Sequence, residues 1–407
     1  MAIGVEKIGV DPGTVCLSIE ALCQARGLDA HNFVQRLHCK ERSLMGPLED
    51  VVTLAVNAAK PIVGPAERER IGLLIVATES AVDQEKPLST WVHRFLELSP
   101  RCRNFEIKHA CYGATAAMRM AQAWLSTQPE SAAALVVSTD HALLGIDGPQ
   151  EPVLGAGAAA VLLSHRPRLW AFEGTTAGVH AHEIADIFRP APGVETGDAD
   201  DSLMSYLDGV EATFDAYEAA LGEPVDFERD FAANVYHVPF GGLAERAHLR
   251  LARARLGLSR RDALAHWGRK AAASLTFNQR MGGVYGAATL VAMLGLVATR
   301  DDLRSGDRVG VYAYGSGSCA EYYAVRIGAE ARAVVDEVAL PDTLDARLEV
   351  DVPTYEALER QLHASLCARD FEPDHDLVPG LHARHYAGKG RLMLRGVSQW
   401  RREYVWS

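Results

Sequence analysis

Near-continuous runs of apolar residues alternate along this chain with stretches in which apolar side chains recur every three to four positions. The runs end in small or polar residues, as buried strands do, and they cover residues 71–79, 133–140, 157–164 and 308–314. The helical period is present in residues 112–125 and 203–221. Strands that alternate with helices predict an α/β protein built of packed layers.

Two segments without this periodicity are predicted to be loops. Residues 193–201 are rich in Gly and Asp, and residues 371–380 contain two prolines. The run that ends at Glu79 and the run that leads into Gly315-Ser-Gly-Ser318 are candidates for equivalent strands of two repeated halves. Identity between the halves is too low for the sequence alone to establish a duplication.

Composition and charge exclude several classes of protein. The 407 residues include 48% hydrophobic ones, enough for a large core, and carry a formal net charge of −12. A protein that wraps nucleic acid would instead present a net basic surface. No apolar run approaches the ~20 residues of a membrane span, and the first residues lack a basic-then-apolar export signal. We therefore expect a cytoplasmic enzyme with no nucleic-acid or membrane partner.

The seven cysteines are scattered, and no two have the C-x-x-C spacing of a zinc or redox site. Neither a disulfide framework nor a cysteine-based metal cage is predicted. The histidines within residues 180–182 and 375–385 match no zinc-protease spacing, so we expect no metal site.

Cys111 is the cysteine whose neighbours suggest chemistry. It precedes the predicted helix 112–125, whose first turn consists largely of small residues. A thiol at a helix N-terminus lies near the positive end of the helix dipole and near free N–H groups, which predicts a lowered pKa and a nucleophilic thiolate. The alternative is an inert cysteine buried for packing.

Two further side chains follow predicted strands. Glu79 ends an apolar run, where α/β proteins place active sites, and partial burial would raise its pKa toward a general acid-base role. The alternative is an N-cap for a following helix. His237 lies between a short apolar segment and a predicted helix, and its imidazole could orient a carbonyl or stabilise an enolate. The alternative there is a core histidine whose hydrogen bonds are satisfied.

The Gly315-Ser-Gly-Ser318 turn is a candidate oxyanion site. A turn of this kind at the end of a strand can leave backbone N–H groups free for a developing negative charge. It lacks the Gly-Lys-Ser/Thr ending of a phosphate loop, and the alternative is an ordinary tight turn.

Residues 245–270 form a basic stretch in this acidic protein. They contain eight Arg or Lys residues against two acidic ones, a local excess of six positive charges. A charged helix face is often only solvated. Because this one follows His237, it could instead attract an acidic partner or a phosphate-bearing substrate.

Taken in order, four blocks resemble the 3-hydroxy-3-methylglutaryl-CoA synthase family of the thiolase superfamily. They are Thr-Glu79-Ser, Ala-Cys111-Tyr-Gly-Ala-Thr, Tyr-His237-Val-Pro-Phe and Tyr-Gly315-Ser-Gly-Ser. The likeness runs from residue 3 to about residue 355. It implies an α/β, thiolase-like, five-layered αβαβα fold of two similar halves and a homodimer. The halves would be residues 1–170, with the nucleophilic cysteine, and residues 171–407, with the catalytic histidine.

The resemblance also implies a mechanism. Cys111 accepts an acetyl group from a thioester, Glu79 removes a proton from its methyl group, and the enolate attacks the β-keto carbon of a second thioester. His237 holds that ketone, Glu79 returns the proton, and water releases the product from Cys111. Backbone N–H groups of Cys111 and of the 315–318 turn stabilise the oxyanions. The implied substrate-binding residues are Ser202, Tyr206, Gly283, Gly317 and Ser318.

Three positions depart from the family pattern. The Lys that meets a CoA phosphate is Gly242 here, the Asn that holds the acceptor falls at Gly283, and a Gly-Gln segment reads His38-Cys39-Lys40-Glu41. Catalytic residues kept beside altered CoA-handling residues resemble the subgroup of polyketide assembly lines that installs β-branches. Its members join acetyl on a donor acyl carrier protein to a β-ketoacyl chain on an acceptor carrier protein.

The resemblance to this subgroup has consequences for cofactors and partners. No tightly bound cofactor is expected, and the substrates are phosphopantetheine thioesters on carrier proteins or on CoA. Carrier proteins are acidic, so the basic stretch becomes a docking face, with Arg246, Arg250 and Arg253 as the predicted contacts.

Three alternatives stay open. The first is the ordinary mevalonate-pathway enzyme, which uses acetyl-CoA and acetoacetyl-CoA. The second is a non-catalytic scaffold of thiolase fold, which the change at Gly283 would suit and the intact Glu79, Cys111 and His237 set would not. The third is a Cys/His thioester hydrolase that forms no C–C bond.

Overall fold

Nine strands pair into one mixed sheet that runs through both parts of the chain. The computed structural model describes residues 2–142, 146, 148 and 150–407. The strands in those residues are β1 (Gly4–Asp11), β2 (Val15–Ser18), β3 (Glu41–Leu44), β4 (Ile71–Ala77), β5 (Arg103–Ile107), β6 (Ala133–His141), β7 (Ala156–Ser164), β8 (Trp170–Ala181), β9 (Ile187–Ala191), β10 (Val194–Gly197), β11 (Ala233–Tyr236), β12 (Arg308–Gly315), β13 (Cys319–Ile327), β14 (Leu348–Glu349), β15 (Leu392–Ser398) and β16 (Arg401–Trp406).

The helices of the described residues pack around this sheet. They are α1 (Ile19–Arg26), α2 (Val51–Ala59), α3 (Pro65–Arg70), α4 (Ser89–Phe95), α5 (Gly113–Leu125), α6 (Ala199–Leu221), α7 (Gly241–Leu256), α8 (Arg260–Lys270), α9 (Asn278–Met281), α10 (Ala287–Thr299), α11 (Ala331–Val338), α12 (Leu340–Ala346), α13 (Val352–Leu366) and α14 (Leu381–His385). None of them, in the part of the chain that the structure describes, has the length and apolar composition needed to cross a bilayer.

The four predicted strands and both predicted helices are confirmed, but one predicted loop is wrong. Residues 194–197 form β10, which pairs with β9 through Val194 and Ala191. The side chain of Asp198 then accepts hydrogen bonds from the N–H groups of Asp200 and Asp201, so α6 already begins at Ala199. The Gly and Asp residues mark a hairpin turn and a helix cap here rather than an irregular loop.

The strand order shows two similar halves. One end of the sheet runs β5-β4-β6-β7-β1, and the other end continues β8-β13-β12-β11. The β4–β6 pair is parallel while β6–β7 and β7–β1 are antiparallel. The β11–β12 pair is likewise parallel while β12–β13 and β13–β8 are antiparallel. The halves meet where β1 pairs with β8, at Val5 and Trp170. The domain boundary after residue 170 stays a prediction.

The helices complete five layers. Helix α10 contacts β6 and β7 of the first half and β11 of the second. Helix α5 contacts β4 and β6, and its Arg119 side chain binds Glu321 on β13, so both helices lie between the halves. Helix α2 covers the outer face of β1, β6 and β7, and α6 covers β8, β12 and β13. Residues 287–297 of α10 are all buried, as a helix in a central layer requires.

Close backbone contact joins the two halves next to Cys111. A Cβ atom on Gly315, the last residue of β12, would lie 2.6 Å from the backbone nitrogen of Tyr112. Only a glycine allows this approach without moving the chain. The end of β12 therefore lies directly against the turn that carries Cys111.

Candidate active site

One cavity of about 440 Å³ is lined by Glu79, Cys111 and His237 together. Glu79 comes from the end of β4, Cys111 from the turn before α5, and His237 directly follows β11. The structure thus brings together the three side chains that the sequence analysis selected as catalytic. The rest of the lining is largely apolar and includes Phe33, Leu37, Phe240 and Leu243.

Cys111 lies in a short 3-10 turn, Ala110–Tyr112, and α5 begins only at Gly113. Burial raises the pKa of the Cys111 thiol well above its usual value, and nearby carboxyls, those of Asp140 and Glu79 foremost, add to the effect. The predicted lowering of this pKa is therefore wrong for the resting protein. The helix dipole acts from two residues away and is outweighed by desolvation and negative charge.

The carboxylate of Glu79 is held against the Cys111 turn. Its Oε1 accepts a 2.5 Å hydrogen bond from the backbone N–H of Ala110. Burial raises the pKa of Glu79, while this N–H group and the positive charges of Lys108 and Arg189 oppose the rise. The N-cap alternative does not apply, because the next helix begins at Ser89.

Asp140 supports Glu79 from the neighbouring strand β6. Its Oδ1 accepts hydrogen bonds from the Glu79 N–H at 2.8 Å and from the Ser80 hydroxyl at 2.9 Å. Burial, with the charge of Glu79 next, raises the pKa of Asp140 to about 8. The sequence signal for Asp140 is its place at the end of a predicted strand. Because β4 and β6 are parallel, their carboxyl ends lie at the same edge of the sheet, which brings Asp140 next to Glu79.

His237 is fully buried and has one free ring nitrogen. Its Nδ1 lies 3.2 Å from the Thr289 hydroxyl, and its Nε2 has no hydrogen-bond partner among the residues that the structure describes. Burial lowers the pKa of His237 to about 3, so the ring is neutral at pH 7. When the Thr289 hydroxyl donates to Nδ1, Nε2 carries the proton and can donate to a carbonyl. The alternative of a fully satisfied core histidine does not fit this geometry.

Three of the five predicted substrate-binding residues line the Cys111 cavity: Ser202, Tyr206 and Gly283. The Tyr206 hydroxyl donates to the carbonyl of His237 at 2.7 Å. Gly317 lines a second cavity of about 560 Å³, which shares Glu79, Ala110 and Ser316 with the first. Ser318 is buried beside these cavities rather than in their described lining.

The Gly315–Ser318 turn is more fully hydrogen-bonded than predicted. The N–H of Gly317 donates to Asp186 Oδ1 at 2.8 Å, and the N–H of Ser318 donates to the carbonyl of His182 at 3.0 Å. The prediction of free oxyanion donors is therefore wrong for these two N–H groups, because each already donates a hydrogen bond to an acceptor in residues 182–186. Ser316 lines both cavities, whereas Gly317 is in the described lining of the second cavity alone.

The two glycines that depart from the family pattern lie at backbone contacts. A Cβ atom at Gly242 would lie 2.8 Å from the carbonyl oxygen of Arg36, and one at Gly283 would lie 2.7 Å from that of Pro239. A side chain at either position requires the backbone to shift. The missing Lys and Asn are thus excluded by packing in this structure.

Helix α6 forms ion pairs with two arginines of the basic stretch. Arg250 pairs with Asp208 and Glu211, and Arg255 pairs with Glu218 and Asp215 on the same helix. Arg246 and Arg253 are exposed on α7, and Arg246 lines the mouth of the Cys111 cavity. The charge available for a partner is therefore smaller than the sequence suggests, and Arg246 is the residue of the stretch that lies at the Cys111 cavity.

The hairpin β9–β10 carries two site residues to which the sequence analysis gave no role, Arg189 and Glu195. Arg189 lines both cavities, and its guanidinium donates to Glu195 and to the hydroxyl of Tyr285. Glu195 falls in the segment predicted as a loop. Strand β10 has only four residues, which are too few for the alternation of buried and solvent-facing side chains to be recognised in the sequence.

Within the described residues, no group of three or more His, Cys, Asp or Glu side chains is arranged to hold a metal ion.

Comparisons with known proteins agree on one family. A model described as hydroxymethylglutaryl-coenzyme A synthase N terminal matches residues 2–167, and its C-terminal counterpart matches residues 258–405. The polyketide biosynthesis 3-hydroxy-3-methylglutaryl-ACP synthase PksG of Bacillus subtilis (strain 168) is 34% identical over 100% of this chain and 99% of its own length. The hydroxymethylglutaryl-CoA synthase of Enterococcus faecalis is 29% identical over 88% of this chain and 91% of its own.

A solved structure extends this agreement to the fold. The curacin biosynthetic pathway HMG synthase, crystallised in complex with acetyl donor-ACP, superposes with a TM-score of 0.95, at 34% identity and over 100% of both chains. The predicted thiolase-like fold of two similar halves is confirmed by this match and by the strand order.

Proposed function

This chain belongs to the hydroxymethylglutaryl-coenzyme A synthase family, and we propose that it is a condensing enzyme of polyketide β-branching. It transfers acetyl from a donor acyl carrier protein to Cys111 and adds it to the β-ketone of a polyketide on an acceptor carrier protein. The observation that carries the proposal is the cavity shared by Glu79, Cys111 and His237. Full-length similarity to synthases whose names refer to polyketide biosynthesis and to donor-ACP supports the choice of subgroup.

The first step loads the enzyme. The Cys111 Sγ attacks the acetyl thioester, the C–S bond to the pantetheine breaks, and the thiol proton ends on the departing pantetheine sulfur. Because burial keeps Cys111 as a neutral thiol in the free protein, thiolate forms only as the substrate arrives.

The second step forms the C–C bond. Glu79 removes a proton from the acetyl methyl group, and the enolate carbon attacks the β-keto carbon of the acceptor. The neutral His237 ring donates from Nε2 to the ketone oxygen, where negative charge develops. Glu79 then returns its proton to the new alkoxide, so the base ends the step ionised.

The third step releases the product. Water adds to the thioester carbonyl on Cys111, the C–S bond breaks, and a free carboxylate remains on the branched chain. One proton of the water restores the Cys111 thiol, and the other passes to solvent as the new carboxylic acid ionises. The branched product stays attached to the acceptor carrier protein throughout.

Carrier proteins rather than CoA suit the entrance of the cavity. Gly242 leaves no room for a cation at the start of α7, whereas Arg246, one turn later, is exposed at the cavity mouth. The exposed Arg246 and Arg253 then contact the acidic carrier protein. Arg250 supports this face indirectly, because its ion pair with Glu211 holds α7 against α6. Phosphopantetheine thioesters are the substrates, and the donor and acceptor carriers use the same face in turn.

A homodimer completes the proposal. Strand β5 is the edge strand of the first half, and its residues are only half-buried. An open edge of this kind is a ready surface for pairing with a second copy.

Acylation of purified protein tests the proposal. We expect acetyl-carrier protein to acetylate Cys111 within seconds to minutes, as measured by intact-protein mass and by the mass of the Cys111 peptide. Acetyl-CoA at the same concentration should acetylate far more slowly. Efficient acylation from CoA alone would contradict the carrier-protein version and favour the mevalonate-pathway enzyme.

A further inference from the structure

Arg189 makes five hydrogen bonds at the point where the two cavities meet. Its Nε donates to Glu195, one terminal nitrogen donates to the Glu79 carbonyl and the Ser80 hydroxyl, and the other donates to the His141 carbonyl and the Tyr285 hydroxyl. The distances are 2.6, 2.9, 3.0, 2.7 and 2.8 Å in that order. The side chain is only 13% exposed, so these bonds form away from bulk water.

The partners of Arg189 come from four separate segments. Glu79 and Ser80 follow β4, His141 ends β6, Glu195 lies on β10, and Tyr285 precedes α10. The first two segments belong to the half that carries Cys111, and the other two to the half that carries His237. One guanidinium therefore fixes the hairpin, the backbone of the base and the opposite wall of the cavity relative to one another.

The charge of Arg189 acts on the same base. Burial raises the pKa of both Glu79 and Asp140, and the cation at Arg189 opposes the rise in each. Glu195 pairs with Arg189 at 2.6 Å and is itself buried, so the guanidinium stays charged. The titratable groups that line a cavity with Glu79 include Lys108 and His109 after β5, Cys111 before α5, His141 on β6, Glu195 on β10, His237 after β11 and Tyr285 before α10. Asp140 on β6 accepts a hydrogen bond from the Glu79 N–H.

We propose that Arg189 is a positioning residue for the condensation step, which holds the Glu79 backbone in register with the Cys111 turn and keeps the Glu79 carboxylate ionised before the acceptor arrives. This inference rests on the proposed function, because it concerns the base of that reaction. None of the five hydrogen bonds of Arg189 is to Cys111, so the proposal assigns it no part in loading.

A second arginine provides a matched control. Arg308 also binds a carboxylate and a tyrosine hydroxyl, Glu173 at 2.6 Å and Tyr217 at 2.8 Å, with its side chain 14% exposed. It lies at the start of β12, and the described lining of neither cavity includes it. Substitution of Arg308 therefore removes a comparably buried arginine, with its carboxylate and tyrosine partners, at a position outside the described lining of both cavities.

The experiment compares the wild type with R189Q, R189K and R308Q, each first acetylated on Cys111 and then mixed with an acetoacetyl-carrier protein in a single turnover. Condensation is followed as a function of pH, and thermal unfolding is measured for each variant. We expect R189Q to acetylate within about threefold of the wild type but to condense ~100-fold more slowly. The acidic limb of its pH–rate profile for condensation should move to higher pH by at least about half a unit, because removing the cation raises the pKa of Glu79.

The controls separate charge from shape. R189K keeps the positive charge, so the acidic limb of its pH–rate profile should stay near that of the wild type. Its condensation rate should fall by about tenfold, since an ammonium group cannot form the same set of hydrogen bonds as a planar guanidinium. R308Q should lower the unfolding temperature as R189Q does but leave the rate and the limb unchanged.

Two results would overturn the inference. One is an R189Q limb at the wild-type position with a rate loss no larger than that of R308Q, which would make Arg189 merely structural. The other is an equal loss of Cys111 acetylation and of condensation in R189Q. A wild-type enzyme that acetylates but never condenses would contradict the proposed function instead, so the two failures are distinguishable.

Discussion

The Oε1 of Glu79 lies 2.5 Å from the backbone nitrogen of Ala110, the residue that immediately precedes Cys111. Base and nucleophile are thereby linked through one hydrogen bond and one peptide unit. The bond holds the Glu79 carboxylate against the turn that carries Cys111, and both residues line the same cavity. It also offsets part of the desolvation that raises the pKa of Glu79.

Glu79→Ala should separate the two chemical steps. The variant keeps the thiol and its cavity, so acetylation of Cys111 should continue. Condensation should fall by a factor on the order of 10²–10⁴, the usual contribution of a general base. Intact-protein mass measures the first step, and the mass of the acceptor carrier protein measures the second. Loss of acetylation together with condensation would show that the role of Glu79 is misassigned.

Arg246→Glu should weaken the use of carrier proteins. Arg246 is exposed at the cavity mouth, so reversing its charge should slow acetyl loading from the carrier protein by about tenfold at low salt, with a smaller effect at high salt. Loading from a small acetyl thioester that lacks the carrier should not change. The matched control is Arg395→Glu, an exposed arginine on β15. Equal losses on both thioesters would refute the docking role.

Arg250 should behave differently from Arg246. Its guanidinium pairs with Asp208 and Glu211 on α6, so Arg250→Glu places like charges together and should lower stability in addition to any effect on loading. Thermal unfolding of Arg246→Glu and Arg250→Glu checks the contrast. An unfolding temperature equally unaffected in both would contradict the pairing seen between α6 and α7.

Gly283→Ala should destabilise the protein, because the new Cβ would lie 2.7 Å from the carbonyl oxygen of Pro239. Overpacking of this kind costs about 1–3 kcal/mol in the free energy of unfolding. Gly268→Ala on α8 is the matched control, since a Cβ there meets nothing within 4 Å and should stabilise the helix by up to about 1 kcal/mol. Urea unfolding of both variants makes the comparison. A Gly283→Ala protein as stable as the wild type would show that the backbone yields easily at this point.

The buried histidines should make the protein sensitive to acid. Burial lowers the pKa of His237 to about 3 and that of His248 well below its usual value, whereas both titrate near 6.5 in the unfolded chain. The unfolded state therefore binds more protons below pH 6.5, and stability falls as the pH drops from 6.5 toward the folded-state pKa values. Each histidine contributes up to about 1.4 kcal/mol per pH unit in that window.

His248→Gln tests this dependence away from the active site. His248 bonds to Tyr236 at 2.9 Å and to His266 at 2.7 Å behind β11. Replacing it removes one titrating group, so the loss of unfolding free energy between pH 7.5 and pH 5 should be smaller than in the wild type. The same slope in both proteins would mean that His248 is not the group responsible.

Apolar runs were sufficient to predict four of the strands. The two halves and a shared site for Glu79, Cys111 and His237 were instead implied by the resemblance of four ordered sequence blocks to a known family, because the runs themselves do not show which strand ends meet. The sequence could not reveal the direction of the Cys111 pKa shift, which depends first on burial of the thiol and then on carboxyls brought in from other segments. Nor could it show that acidic residues of α6 neutralise Arg250 on α7.

Gly242 and Gly283, which replace residues of the family pattern, show that backbone packing is equally hard to predict from the sequence. Whether Gly242 and Gly283 have lost a function or make room for a neighbouring carbonyl depends on distances between segments far apart in the chain. Five hydrogen bonds converge on Arg189 only because a hairpin folds over the ends of β4 and β6. No local pattern encodes that convergence.

The most direct test of the central claim is a reconstitution with isotopically labelled acetyl on the donor carrier protein and acetoacetyl on the acceptor carrier protein. We expect the acceptor to gain the elements of acetic acid, with the label in the new branch, and Cys111→Ala to abolish this gain while remaining folded. Labelled branch formation by Cys111→Ala would contradict catalysis at Cys111 and favour a scaffold. Release of labelled acetate with no change in the acceptor would contradict C–C bond formation and indicate a thioester hydrolase.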